Sequence, residues 1–519
     1  MSYHVGENKC SINNQYGNIF FAGISRCVRI SSQATTKEDF PYIRVFKISM
    51  AKGLKDELLG MIRDGRRMTL GQQVQLALML SLPAILAQTS SMLMQYIDTG
   101  MVGRLGANPS ASIGLISTST WILGGFTAGA CSGFSVQVAH LCGAKDFKAA
   151  RQVLREGLTS VLVLSFFLGA IGVALSGPLP GWLGGGQEII SDASKYFLIY
   201  SAFIPVGAVG WAASAMLQAS GNMKVPSIMY IGMCTLDVIF NYIFIFVCGM
   251  GVTGAAIGTG LSELVTSAFA VWYVLTRSKE LNIKGEKGSF RPRRNTINNA
   301  WGITAPMWLQ NVIMRGAYVM STIIVAPLGA IAIAANAFAI TAESFCYMPS
   351  YGIEEASTTL IGQSLGAGRK EIAKRFSRIT MSMGALIQTM LAVLMFIFAP
   401  QLMALLSVDP DVVELGAKVL RIEAFAETMY AISIVGYGCC VGAGDTLMPS
   451  LMNFCSMWLV RIGLAAILTP KMGLQGYWIA MCAELNVRGL LFLWRLRGEK
   501  WMKHRVTGKE REELEYAEI

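Results

Sequence analysis

From Gln73 to Gly103 the chain carries one charged side chain, Asp98, and every other position is apolar or uncharged. Runs of this kind recur at roughly 73–103, 112–141, 158–183, 196–217, 226–247, 252–275, 303–328, 331–360, 379–400, 419–441, 449–470 and 473–494. Each reaches the ~20 residues that a helix needs to cross a hydrocarbon core about 30 Å thick. The pattern predicts an all-α membrane protein with twelve transmembrane helices. Runs five and six are separated only by CGMG, and runs eleven and twelve by KMG. Such short glycine turns favour tight helical hairpins.

The runs fall into two sets of six, and the sets repeat. LQASGNMKVPS, ending at Ser227, pairs with CVGAGDTLMPS, ending at Ser450, so that Gly221 matches Gly444, Pro226 matches Pro449 and Asn222 faces Asp445. VGRLGA from Val102 pairs with VAPLGA from Val325, Pro83 with Pro306, and Gly143-Ala144 with Gly366-Ala367, always at an offset of 223. Gly251 and Gly254 match Gly473 and Gly476 at 222. One spacing held across five places signals an internal duplication. Six is an even number, so both halves enter from the same side. That makes two six-helix lobes related by an axis along the membrane normal, a parallel repeat seen in secondary transporters.

The predicted organisation is an N-terminal extension over 1–67, a first lobe over 68–276, a basic linker over 277–300, a second lobe over 301–497 and a tail over 498–519. Residues 1–49 are polar and lack a periodic apolar face, and NIFFAGI is too short for a signal-peptide core. That segment is expected to be disordered, or to come from an over-extended start of the reading frame. From Met50, MAKGLKDELLGMIRDGRRMTLGQQ reads as an amphipathic cytosolic helix leading into the first span.

Composition agrees with this class. Of 519 residues 53% are hydrophobic and 14% charged, against roughly 25% charged in a soluble domain. The net charge of +11 does not indicate a nucleic-acid partner, because the basic residues sit in short blocks between apolar runs. The loops after the even-numbered spans hold seventeen lysines and arginines. The other loops hold four: Arg104, Lys195, Lys418 and Lys471. By the positive-inside rule both termini are cytoplasmic, in a multi-pass protein of the cytoplasmic (inner) membrane. Most of the eleven cysteines lie inside apolar runs, where a thiol is a small hydrophobe. No CxxC, HExxH or GxxxxGK[ST] motif occurs, which removes support for a structural zinc, a zincin or an ATP-driven pump. No nucleophile–base pair suggests an enzyme, and no cofactor is implied.

Charges inside the runs carry the chemistry. An ionisable residue at mid-membrane depth costs about 2.5–3.5 kcal/mol on insertion scales, so each needs a reason. The first half has Asp98, Asp237 and Glu263; the second has Arg315, Glu343, Glu354, Glu355, Glu423, Glu427, Arg461, Glu484 and Arg488. Glu423, Arg488 and Glu354 lie near predicted span ends and are expected to be solvated. Asp98 could end its helix through Asp-Thr-Gly, yet the apolar run continues past it through Met101 and Val102. Asp237 lies deep in the fifth run. Asn241, four residues on, shares its helical face about 6 Å along the axis. An acid and an amide so placed can hold a cation or a proton, or simply tie helices together. A carboxylate in a cavity that exchanges H⁺ or Na⁺ for a cationic substrate is a minimal antiporter. The small residues of GVTGAAIGTG read mainly as close helix packing.

Taken together, PAIL…YIDTGMVGRLG, GAKDFKAAR, LQASGN, GVTGAAIGT, LIGQSLGAGRKEIAKR and VGAGDTLMP resemble the multidrug and toxic compound extrusion (MATE) transporters, from about Met68 to Arg497. The resemblance implies a two-lobed secondary antiporter, acting as a monomer in the lipid bilayer. Such a protein exports small, cationic amphipathic molecules in exchange for H⁺ or Na⁺ by alternating access. It places Asp98 on the family's acidic position in the first span, Thr259 on its threonine in the sixth and Tyr196 on a tyrosine in the fourth. The fifth span departs: the family often has asparagine first and aspartate four residues on, whereas here Asp237 precedes Asn241. In the seventh span, where one branch carries an acid, this chain has Gln310, Asn311 and Arg315, closer to the DinF-like branch. The expected site is therefore Asp98, Asp237, Asn241, Thr259 and Tyr196, with Na⁺, if it couples, at Asp98 and Asp237. Gln88, Gln310, Glu343 and Glu355 are candidate substrate contacts. A lipid-linked oligosaccharide flippase of the same superfamily is the alternative, although only Arg315 and Arg461 could meet a pyrophosphate. The duplication maps Asp98 onto Ser321 and Asp237 onto Val460, so ion coupling is expected in the first lobe alone.

Overall fold

The computed structural model describes residues 52–502 and Val506, so the segment 1–49 and most of the tail expected at 498–519 lie outside the described residues. The amphipathic segment forms α1, Lys52–Arg63. It does not run on into the first span. The chain turns through Gly65 at φ 74°, and α2, Leu70–Gly103, starts afresh at a capping box in which Thr69 and Gln72 each hold the other's backbone N–H. The first lobe continues with α3 Ala107–Gly143, α4 Phe147–Leu175, α5 Gln187–Ala219, α6 Lys224–Tyr242 and α7 Gly251–Thr276; α6 is prolonged by a π-helical turn at Ile243–Val247. The second lobe has α8 Arg294–Val325, α9 Ala330–Gly366, α10 Lys370–Leu406, α11 Pro410–Glu423, α12 Glu427–Gly442, α13 Leu447–Cys455, α14 Gly463–Met472 and α15 Leu474–Arg497. A π-helical stretch, Ser456–Ile462, joins α13 to α14.

Among the described residues, ten helices are long and apolar enough to cross a membrane. The tenth run, expected unbroken over 419–441, is instead two helices, α11 and α12, bent by 61° between Glu423 and Glu427. The twelfth falls on α15, which has the length but carries Glu484, Arg488, Arg495 and Arg497. Several helices outrun their apolar segments. Helix α4 begins at Phe147 and α10 at Lys370, because their first turns carry basic residues on one face while still packing apolar ones on the other.

Each lobe has its own core. Ala212, Ala213 and Met216 anchor the first; Ala335, Met403 and Trp478 anchor the second. A third cluster spans both at the end of the bundle that carries the 277–293 linker, here termed the linker face. It includes Leu58, Leu59 and Ile62 of α1 with Leu76, Met223, Ile361 and Phe376.

The duplication is most legible where the lobes touch. A Cβ on Gly143 would collide with the backbone of Gln363, and a Cβ on Gly366 would collide with the backbone of His140. Gly143 and Gly366 are 223 positions apart, as are His140 and Gln363, so the contact is reciprocal about the pseudo-two-fold axis. His140 Nε2 lies 2.9 Å from the Gly442 carbonyl, and Gln363 Nε2 donates to the Ala219 carbonyl at 2.8 Å. Ala219 and Gly442 are again repeat mates. Deeper in the bundle, Gly129 abuts the Trp308 indole while its mate Gly352 abuts the backbone of Ala84 and Ile85. Glycine at these positions lets backbones approach closely enough for dispersion and carbonyl contacts to hold helices together where lipid supplies no hydrophobic drive.

Gly366→Ala should therefore lower stability by about 1–3 kcal/mol through overpacking, despite the better helix propensity of alanine. Gly302→Ala in α8, where nothing stands within 4 Å, should be neutral or slightly stabilising. Thermal unfolding of the detergent-purified variants compares the two; equal midpoints would deny the glycine seam its role.

Candidate functional site

Asp98 lies five residues before the end of α2, inside the helix. Its position there excludes the reading in which it turns the chain out of the span. It meets the Asp237 and Asn241 pair of α6, which are 0% and 1% exposed. Asn241 Nδ2 donates to Asp98 Oδ1 at 3.0 Å and to Asp237 Oδ2 at 3.0 Å. The two carboxyl groups are also within hydrogen-bonding reach of each other. From α7, Ser262 Oγ lies 3.3 Å from Asp237 Oδ1 and 2.8 Å from the Thr259 carbonyl, a choice its single proton must make. The Thr259 hydroxyl also faces Asp237. Tyr196 packs on Val102, Ile245 and Ala255 beside these groups, without a hydrogen bond to either acid.

Local sequence explains how three helices converge here. Asp237 and Asn241 share a face because they are one turn apart. Helix α7 can come close because Gly254 and Gly258 lack side chains: a Cβ on Gly254 would press on the Phe244 carbonyl, and one on Gly258 on Asn241 itself. The π-helical turn begins two residues after Asn241. Widened turns of this kind are frequent at functional sites. Asn241 Oδ1 is buried with no hydrogen-bond partner.

Among the described residues, no ion pair includes Asp98 or Asp237. Two carboxyls this close cannot both be bare anions in an apolar lobe. A proton or a cation has to sit with them. Oxygen-only donors suit a hard monovalent cation, and the carboxyl–carboxyl contact suits a shared proton.

The other expected residues separate. Gln88 Nε2 donates to Glu355 Oε1 at 2.8 Å, and Gln218 Nε2, which the sequence reading did not single out, donates to Glu355 Oε2 at 3.1 Å. Two first-lobe amides thus hold one second-lobe acid across the seam. Gln310 stands apart beside Tyr437. Glu343 lies in the second lobe among Glu423, Glu427 and Arg461. That second-lobe group corrects an expectation. Glu423 and Arg488 are 0% and 8% exposed rather than solvated. The break between α11 and α12 turns Glu423 inward, and Arg488 bonds Glu484 one turn away at 2.6 Å. Glu354 is half-buried, its stem against Gly438. Arg461, on the second π-helical stretch, reaches Glu484 Oε2 at 3.6 Å. In the repeat, Arg461 stands where Val238 stands, and Glu484 where Ser262 stands. The second lobe therefore carries a tethered guanidinium beside the place where the first lobe keeps its uncompensated acids.

Ser262 had a readable signal, since it follows Thr259 by three residues and so shares its face. Gln218 had none, because its partner is on another lobe.

Comparison with known proteins gives one family. The chain matches the MatE family over residues 83–243 and again over 306–467, two segments that start 223 positions apart. It is 29% identical over 450 residues to the probable multidrug resistance protein NorM of Thermotoga maritima, covering 83% of this chain and 94% of that protein. It is 25% identical over 454 residues to the multidrug resistance protein MdtK of Yersinia pestis, covering 83% and 96%. Among solved structures, a MOP superfamily transporter from Pyrococcus furiosus superposes with a TM-score of 0.79 at 21% identity, over 88% of this chain and 99% of that one. The Vibrio cholerae MATE transporter VcmN in its bent form superposes with a TM-score of 0.75 at 20% identity, over 84% and 98%. At these identities the superpositions show the fold.

Removing one partner of the second-lobe ion network should be severe. Arg461→Met leaves Glu484 and its neighbours short of positive charge and should destabilise the protein by about 3–5 kcal/mol. Pairing it with Glu484→Gln should recover part of the loss. Unfolding midpoints in detergent would show it, and an additive double variant would mean that the two side chains do not interact.

Proposed function

The chain belongs to the MatE family of membrane transporters, and from that premise we propose that it is a secondary antiporter exporting small, cationic amphipathic compounds in exchange for H⁺. The observation that carries the choice of ion is the Asn241 amide, whose NH₂ is bonded to both Asp98 and Asp237 while the two carboxyls reach each other. With one proton shared, the end of α2 is drawn onto α6. With the proton gone, two unit charges about 4 Å apart repel by about 4 kcal/mol at an effective dielectric near 20. That repulsion loosens α2 unless a cation enters. Proton and cationic cargo thus compete for one negative centre, which is the requirement for exchange. Thr259 and Ser262 support Asp237, and Tyr196 walls the site.

Na⁺ is the second reading. It would require the Asn241 amide to turn its Oδ1, the buried orphan, toward the carboxylates. The multidrug names of the relatives support the cargo class. The flippase reading loses support, since Arg461 is tied to Glu484 and Arg315 lies over Trp121 at 5.0 Å. The basic linker face is cytoplasmic in this reading, and the lobes rock about the glycine seam to alternate access. Gln88, Gln218 and Glu355 bridge the lobes on the path of the cargo.

Efflux of a fluorescent organic cation from vesicles, driven separately by a pH gradient and a Na⁺ gradient, tests both choices. A pH gradient alone should suffice, and Asp98→Asn should reduce coupled efflux to background at unchanged protein level. Full efflux by Asp98→Asn would sink the site assignment; efflux driven only by Na⁺ would replace the proton.

A further inference from the structure

Helix α1 precedes the first span and is absent from the transport reading, yet it is fastened to both lobes. Its apolar face is largely buried: Leu58, Leu59 and Ile62 join the cluster shared by the two lobes, with Leu54 and Met61 packed against it. Toward the first lobe, Lys55 Nζ donates to the Gly221 carbonyl at 3.1 Å and Arg63 Nη2 to the Ser220 carbonyl at 2.9 Å. Arg63 also pairs with Glu280 at 3.4 Å, Asp56 with Lys279 at 3.1 Å, and Asp64 with Lys145. Toward the second lobe, Arg63 Nε donates to Gln363 Oε1 at 3.2 Å, and Arg369 Nη1 donates to the Met61 carbonyl at 3.0 Å.

Gln363 is the second lobe's half of the reciprocal seam, and its own amide already reaches the Ala219 carbonyl. One guanidinium therefore holds Gln363 and Ser220 at once, from opposite sides of the seam. Parting the lobes on this face separates those two groups, and Arg63 cannot follow both. A cleft of about 180 Å³ runs between the helix, the start of α4 and the linker, lined by Leu59, Arg63, Phe147, Arg151, Lys279 and Glu280. The repeat underlines the asymmetry. The linker, which occupies the equivalent stretch before α8, has no helix there.

We propose that α1 is a removable clasp across the lobe seam, and that its undocking is an obligatory step before the linker face can open. The proposal extends the transport reading, but its first test does not use transport. Cys142 is buried at the end of α3, with Arg63, Glu280 and Arg151 as charged neighbours. Cys131 is buried in the first-lobe core, where its thiol faces the Ala208 carbonyl. In the full-length protein in lipid nanodiscs, alkylation by a water-soluble maleimide is followed residue by residue by mass spectrometry. Arg63→Ala removes charged hydrogen bonds and should speed alkylation of Cys142 about tenfold, with Arg63→Lys intermediate and Cys131 unchanged in all three proteins. An unchanged Cys142 rate, or Cys131 accelerating in step with it, would overturn the proposal.

The second test replaces the exposed Cys248 and Cys455 with serine and joins Arg63→Cys to Gln363→Cys by a reducible thiol crosslinker. Stapled protein in vesicles should lose at least about nine-tenths of its efflux and regain it on reduction, as expected if the clasp must open in each cycle. Full efflux through the stapled protein would overturn the clasp. A protein that exports nothing in any form would instead overturn the transport reading and leave the alkylation result to decide the clasp.

Discussion

Asp98 and Asp237 meet inside an apolar lobe with one amide bonded to both and, among the described residues, no ion pair to either. Much of the first lobe can be understood from that uncompensated pair. Bringing α2, α6 and α7 together tightly enough to enclose it requires glycine at 254 and 258, where any side chain would strike α6. Holding the amide between the carboxyls uses the turn spacing of Asp237 and Asn241. The half-buried Thr259 hydroxyl and the buried Ser262 hydroxyl supply further polar contacts. A bare acid pair would not persist at this depth, so the site is complete only with a proton or an ion, and that need is what couples it to a gradient.

The second lobe solves the same burial problem differently. Its backbone repeats that of the first, down to the glycines of the seam, but its polar interior is built from charge pairs. Arg461 and Arg488 flank Glu484, and Glu343, Glu423 and Glu427 surround them. The scaffold is shared because packing dictates it. The charges are not, because each lobe balances its own buried electrostatics. The bend between α11 and α12 belongs to this second solution, since it brings Glu423 and Glu427 inward from adjacent helix ends.

Between the lobes, reciprocity does the fastening. His140 with Gly442 and Gln363 with Ala219 are the same contact made twice. The seam combines close backbone approach at Gly143 and Gly366 with these two side-chain-to-carbonyl hydrogen bonds, one from each lobe. Helix α1 breaks that symmetry, reaching one of the four seam residues through Arg63.

How much of this was legible in the chain itself follows from the range of the forces involved. Run lengths, the duplication, the shared face of Asp237 and Asn241, and the close packing of GVTGAAIGTG are all set by spacing along one helix, and the chain displays them directly. Periodicity states which face a residue occupies; it does not state what that face meets. Only the tertiary structure joined Asn241 to Asp98 across 143 positions, placed Gln218 on Glu355, and buried Glu423 and Arg488 although both lie near the ends of their runs. The glycines at 143 and 366 could be matched by offset, but that each lies against the other's neighbour is a property of how two lobes pack. Those pairings depend on contacts between helices far apart in the chain, where shape complementarity and the need to satisfy buried charge outweigh any local preference.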